Sequence, residues 1–160
     1  MKALVPLLAA IALSGCVAMS EHHAAMHGNP NEAKIAFDFT EGNPKVMLVK
    51  LNTVDLTRKQ YMERGITPKI VMTFRGDASY FTQSDLSLVK EADREDAAKV
   101  QAKIRELRQA NGVESLEQCN VPLASRKLNP NNLMSEVKLV PNGWIALVGY
   151  QQKGYAYIAP

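Results

Sequence analysis

The residue in this sequence best suited to covalent chemistry is Cys119. It closes a short strand expected near Val113 to Gln118 and is followed by Asn120-Val121-Pro122, where the chain is expected to pass directly into a short helix over about 122–128. Pro122 suits the first turn of that helix, where a missing N–H costs nothing. The thiol then faces the positive end of a helix dipole, with Arg126 about one turn further on. Both effects favour thiolate over thiol, and the thiolate is the nucleophile. The competing reading is a buried structural cysteine, since free Cys is among the most buried residue types. Spacing alone leaves the two level.

Two other loops would join Cys119 if the sheet is open and parallel, because ligands then gather beyond the carboxyl ends of the strands. They are Arg75-Gly76-Asp77 and Pro141-Asn142-Gly143-Trp144. The expected rim is therefore Arg75, Gly76, Asn120, Arg126, Asn142 and Gly143. Arg75 reads as a rim cation, with anion binding as the narrower alternative, and Trp144 as a packing or interface residue rather than a ligand platform. All three histidines lie at or before position 27, so no histidine in the domain stands as a general base for Cys119. That argues against a cysteine hydrolase and against a Ser-His-Asp arrangement. No Gly-rich phosphate loop of familiar spacing is present, and no cofactor is implied.

The other cysteine has a different setting. Met1-Lys2 is a minimal positive start, Ala3 to Leu13 is uncharged and apolar, and Leu13-Ser14-Gly15-Cys16 follows. The apolar stretch is too short to span a bilayer as a permanent helix. The segment resembles a bacterial lipoprotein signal, which implies cleavage after residue 15 and lipid on Cys16; an ordinary secretory signal is the alternative. Acyl chains contribute roughly 0.8 kcal/mol per buried methylene, enough in combination to anchor a protein without a spanning helix. Val17, rather than Asp, after the cysteine favours the outer membrane by resemblance to enterobacterial sorting, so the protein is expected on the periplasmic side. Residues 16–33 then form a flexible tether, with Cys119 the sole thiol of the domain. His22, His23, Met26 and His27 are soft or borderline metal ligands, but their spacing matches no closed site and a solvated linker is the default.

Composition is consistent with one domain over residues 34–160. The chain has 160 residues, 46% of them hydrophobic, and 19 basic against 16 acidic residues, a net charge of +3 with no basic run to mark a nucleic-acid footprint. Lys34-Ile-Ala-Phe-Asp-Phe39 and Pro68-Lys-Ile-Val-Met-Thr-Phe74 read as buried strands. Between them, Met47, Leu51, Val54 and Met62 recur on roughly one helical face before Gly65, although Val46 to Leu51 alone also suits a strand. Tyr80 to Val89 reads as a connection, with a short helix from Gln83. Ala97, Val100, Ile104 and Leu107 mark the clearest helix, acidic at its start and basic at its end. A strand over 137–140, a helix over 143–153 and a last strand over 155–158 complete the pattern. Alternating strands and helices predict a three-layer α/β/α sandwich around a mostly parallel five-stranded sheet.

The C-terminal half also resembles a known family. Cys119-Asn-Val-Pro-Leu-Ala-Ser-Arg-Lys-Leu128, then Val137-Lys-Leu-Val-Pro-Asn-Gly143, then Gln152-Lys-Gly-Tyr-Ala-Tyr-Ile-Ala-Pro160 are similar to the DsrE/DsrF family, and the likeness extends more loosely back to residue 34 through Phe74-Arg-Gly76. Lys127 departs from sulfur-transferring relatives, which commonly have Gly there. The resemblance implies a five-stranded parallel fold, a homo-oligomer (trimer or hexamer), and a persulfide carried on Cys119 and exchanged with a protein thiol by thiolate attack. The expectation is a membrane-anchored domain that carries or senses sulfane sulfur. Its alternative is a non-catalytic envelope module that binds a small ligand or a partner protein in the same crevice.

Overall fold

The structure, a computed structural model, describes residues 31–160. The signal segment, Cys16 and the tether residues His22, His23, Met26 and His27 lie outside the described residues. Among those described, no helix is long and apolar enough to cross a membrane, and no cluster of three or more His, Cys, Asp or Glu is arranged to hold a metal ion.

Strand β1 (Glu32–Phe39) leads into helix α1 (Pro44–Glu63), which returns to β2 (Thr67–Phe74). Asn43 starts α1 by accepting from the N–H groups of Lys45 and Val46, with Pro44 in the first turn. Such a cap contributes about 1 kcal/mol. The ambiguous run at 46–51 is thus helical: Met47, Leu51 and Val54 are buried, whereas Met62 lies on the exposed side of the last turn. A 3-10 segment (Gly76–Thr82) follows β2. The short helix expected from Gln83 is absent, because Gln83 instead bridges to Leu133 in extended conformation. Helix α2 (Arg94–Gln109) buries Ala97, Val100, Ile104 and Leu107 as their spacing requires. After β3 (Val113–Cys119) come a one-turn helix α3 (Val121–Ser125), β4 (Lys138–Val140), α4 (Gly143–Gln152) and β5 (Ala156–Ile158).

All four strand pairings are parallel, in the order β4-β3-β2-β1-β5. The order explains the layers. The chain steps from β1 to β2 to β3 through α1 and α2, which right-handed crossovers place on one face. From β4 it must recross the whole sheet to reach β5, and α4 carries it over the opposite face. Large side chains fill the first face: Phe39 stacks on Phe74 with ring centroids 5.5 Å apart, and Ile35, Ile70, Met72 and Leu116 join them against α1 and α2. The second face is built differently. Its apolar cluster is only Ala36, Val71 and Leu147, with Tyr150 and Tyr155 at its margin. By strand alternation the same face presents Asp38, Thr73, Ser115, Glu117 and Cys119, all buried. The thin, polar layer beneath α4 therefore contains the sulfur.

Candidate functional site

Cys119 is the last residue of β3 and pairs in register with Val140, the last residue of β4. Both chains leave the sheet at this level, and the Asn120 N–H donates to the Val140 carbonyl at 2.9 Å, holding the two exits side by side. Asn142 then caps α4, its Oδ1 accepting from the Trp144 N–H at 2.9 Å. With the start of α4 fixed in this way, the Gly143 N–H donates to Cys119 Sγ at 3.0 Å.

This corrects one expectation. The helix start that meets the thiol is that of α4, 24 residues further along the chain, and not the helix that follows Cys119 directly. Helix α3 has only five residues, ending at Ser125, and its single turn brings Val121 and Pro122 to the site as walls. Gly143 has to be glycine for this seat. A Cβ there would lie 2.8 Å from Arg75 Cδ and 3.0 Å from both Cys119 Cβ and Thr73 Cγ2.

Cys119 is 3% exposed, yet it lines a cavity of about 240 Å³ that opens to solvent. Arg75, Gly76, Val121, Pro122, Ser125, Arg126, Asn142 and Trp144 complete the wall. Of the expected rim, Arg75, Gly76, Arg126 and Asn142 are thus brought together around the sulfur, and Gly143 touches it through its backbone. Asn120 is exposed and spaces the two strand ends without lining the cavity. Gly76 takes φ +55°, a left-handed turn that lets the chain leave β2 beside the cavity.

Neither arginine is an unmatched charge. Arg75 grips buried Asp38 with two hydrogen bonds, Nε to Oδ1 at 2.8 Å and Nη2 to Oδ2. That contact with Asp38 raises the guanidinium above its ordinary range, against the opposing effect of burial. Its other side lies 5.4 Å from the centroid of the Trp144 ring. Arg126 donates from Nε to Asp77 Oδ1 at 2.8 Å, rather than serving the thiol one turn back. Tyr157 also donates to Asp38, at 2.8 Å, so the terminal strand is fastened to the same carboxyl that positions Arg75.

Three contributors escaped the sequence reading. Asp38 organises Arg75 and Tyr157 from within an apolar strand, and a lone acid in such a run is the signal that marks it. Asp77 stood in plain view beside Gly76, but nothing in its spacing pairs it with Arg126. Gln118 is fully buried on the other face and donates to Ser79 Oγ at 2.8 Å and to the Cys119 carbonyl at 2.7 Å, while accepting from Thr82 Oγ1 at 2.7 Å. It locks the 3-10 segment, and so the Arg75 loop, against the strand that ends in Cys119.

The cavity thus surrounds a sulfur at the carboxyl end of a parallel strand. The structure is similar to that of a protein of unknown function, MTH1491, from Methanobacterium thermoautotrophicum, with a TM-score of 0.56 and 18% identity over 80% of this chain and 99% of that one. In sequence it is 26% identical over 125 residues to an uncharacterized protein of Aquifex aeolicus (strain VF5), covering 78% of this chain. The chain spans about half the length of that relative, 55%. The sequence profile of the DsrE/DsrF-like family matches residues 25–160, which takes in every strand, both arginine loops and the cysteine, and the chain belongs to that family.

Proposed function

We propose that this protein handles sulfane sulfur on Cys119, accepting it as a persulfide and passing it to another thiol. The observation that carries the reading is the Gly143 N–H directed at Sγ from the start of α4, inside an open cavity. A sulfur that accepts a hydrogen bond at a helix start is suited to negative charge, the form that attacks sulfane sulfur. Family membership supports the same chemistry. The Leu13-Ser14-Gly15-Cys16 segment supports export and lipid anchoring at Cys16, with the outer membrane as the destination and the periplasmic side as the working compartment. Ile145 and Val148 lie exposed along α4, and apolar residues exposed in this way support association into a homo-oligomer.

The test is intact-mass analysis after exposure to polysulfide and, separately, to benzyl persulfide. The expected result is a gain of about 32 Da, one sulfur atom, that dithiothreitol removes and Cys119→Ser abolishes. The exposed apolar walls of the cavity, Val121 and Trp144, favour a second reading, a binding module that uses the crevice without chemistry. An unmodified Cys119, alkylated no faster than a buried thiol, would decide for it.

A further inference from the structure

Granting the carrier reading, the charges and walls of the cavity go further and specify the donor. We infer that the sulfur reaching Cys119 arrives on an organic persulfide whose carrier group is uncharged and apolar, in preference to a small inorganic sulfur anion such as thiosulfate. Three observations carry this. First, each cation at the cavity is matched by a carboxylate: Arg75 is gripped twice by Asp38, and Arg126 is held by Asp77. A dianion entering here would meet guanidinium groups whose charge is already offset. Second, Arg75 Cζ lies 5.4 Å from the centroid of the Trp144 ring, so an apolar surface stands beside the guanidinium at the cavity. Third, the mouth is flanked by Val121 and Trp144, 62% and 66% exposed, with Pro122 beside them. Exposed apolar side chains on two sides of one opening favour an apolar group seated between them.

The step balances without an oxidant. Cys119 thiolate attacks the terminal sulfur of R–S–SH, and a new S–S bond forms on Cys119. The donor S–S bond breaks, its electron pair leaves on R–S⁻, and the transferred sulfur keeps its proton. The leaving thiolate then departs past Trp144, whose ring contacts the R group and not the reacting atoms. Trp144 is accordingly a specificity residue.

Methanethiosulfonate reagents test this on the full chain, with modification at Cys119 read by peptide mass mapping and rates normalised to free cysteine. Benzyl methanethiosulfonate is expected to react about tenfold faster than the sulfonatoethyl reagent, a ratio that apolar pocket contacts commonly reach. Trp144→Ala should collapse the ratio, while Trp144→Phe keeps it. Asp77→Asn, which leaves Arg126 unmatched, should raise the sulfonatoethyl rate alone. Equal rates, a faster anionic reagent, or no reaction with either would overturn the proposal. The carrier reading fails separately, if neither polysulfide nor benzyl persulfide adds a sulfur atom to Cys119 while the reagent preference stands.

Discussion

Gly143 and Cys119, 24 residues apart in the chain, meet through a 3.0 Å hydrogen bond from backbone N–H to Sγ. The contact joins the end of β3 to the beginning of α4, so the helix that recrosses the sheet is registered on the one thiol of the domain. Nothing larger than a hydrogen fits at position 143, because Arg75, Thr73 and Cys119 close around it. The glycine therefore sets both the approach of the helix and the surroundings of the sulfur.

Gly143→Ala should separate these parts. The added methyl would stand 2.8 Å from Arg75 Cδ and 3.0 Å from Cys119 Cβ, contacts that are relieved by shifting Arg75 against its hold on Asp38 or by lifting α4. Overpacking of this kind costs about 1–3 kcal/mol. Urea denaturation should show that loss, and alkylation of Cys119 should change rate in the folded protein as its N–H donor withdraws. An unchanged rate with unchanged stability would mean that the helix start does not govern the thiol.

Much of this layout was legible in the sequence, for identifiable reasons. The strands from Lys34 and Pro68 declare themselves as continuous apolar runs and are buried on both faces, while the helix through Ala97, Val100, Ile104 and Leu107 is declared by its period and buries those residues. Cys119 and the loops at Arg75 and Asn142 were legible because parallel strands deliver their carboxyl ends to one edge. The partners were not. Whether Arg126 turns to Cys119 or to Asp77, and which helix start meets the thiol, depends on distances across the sheet that no local spacing encodes. The 3-10 segment at Gly76–Thr82 was missed for a similar reason: Gln118, from β3, holds it in place.

Lys127 offers a local test. It adopts φ +56° directly after α3, and the Leu128 N–H returns to the Leu123 carbonyl at 2.9 Å while the Lys127 N–H reaches Ala124 at 3.2 Å. This is the left-handed helix ending that glycine normally occupies. A non-glycine residue there costs roughly 1 kcal/mol or slightly more, part of which glycine returns as extra freedom when unfolded. Lys127→Gly should therefore raise stability by about 0.5 kcal/mol, measured as a higher urea midpoint with unchanged slope. A lower midpoint would show that the lysine side chain contributes more than its backbone costs.

Asp55 ties α1 to α2 and gives the fold an acid limit. The carboxyl is buried and holds Arg58 at 2.8 Å, Lys59 at 2.8 Å and Lys103 of α2 at 3.0 Å. Burial alone would raise it, but hydrogen bonds from Lys59, Arg58 and Lys103 outweigh burial and hold it well below the ordinary carboxylate range. A depressed folded-state value makes the contribution complete above the unfolded value of about 4 and progressively lost as pH falls below it. Asp55→Asn leaves Arg58 buried without a counter-charge and Lys103 with Glu106 alone, and should cost about 3 kcal/mol at neutral pH. Urea midpoints of the two proteins should converge as pH is lowered from about 4. A constant gap across that range would remove Asp55 from the acid response.

Glu117 and Tyr150 fasten the other end of α4. Glu117 is buried beneath the helix, its Oε1 accepting from the Tyr150 hydroxyl and from Ser115 Oγ, while Oε2 has no hydrogen-bond partner. Burial, reinforced by the neighbouring Glu117, pushes the Tyr150 phenol above its ordinary range, so the donor is retained far into alkaline solution. Tyr150→Phe takes away that donor and leaves the carboxyl with Ser115 alone, a loss of about 1–3 kcal/mol. Removing both polar partners from a buried contact costs much less than removing one. Glu117→Met combined with Tyr150→Phe should therefore be less destabilised than the sum of the single variants, and a double-mutant cycle measures the difference. Hydrogen exchange in the Tyr150 turn of α4 should rise in Tyr150→Phe and stay slow at Gly143, whose anchor is Cys119. Strictly additive losses would mean that Glu117 and Tyr150 do not form a tie, and exchange rising equally at both ends would mean that the helix is held as a single unit rather than by two separate ties to β3.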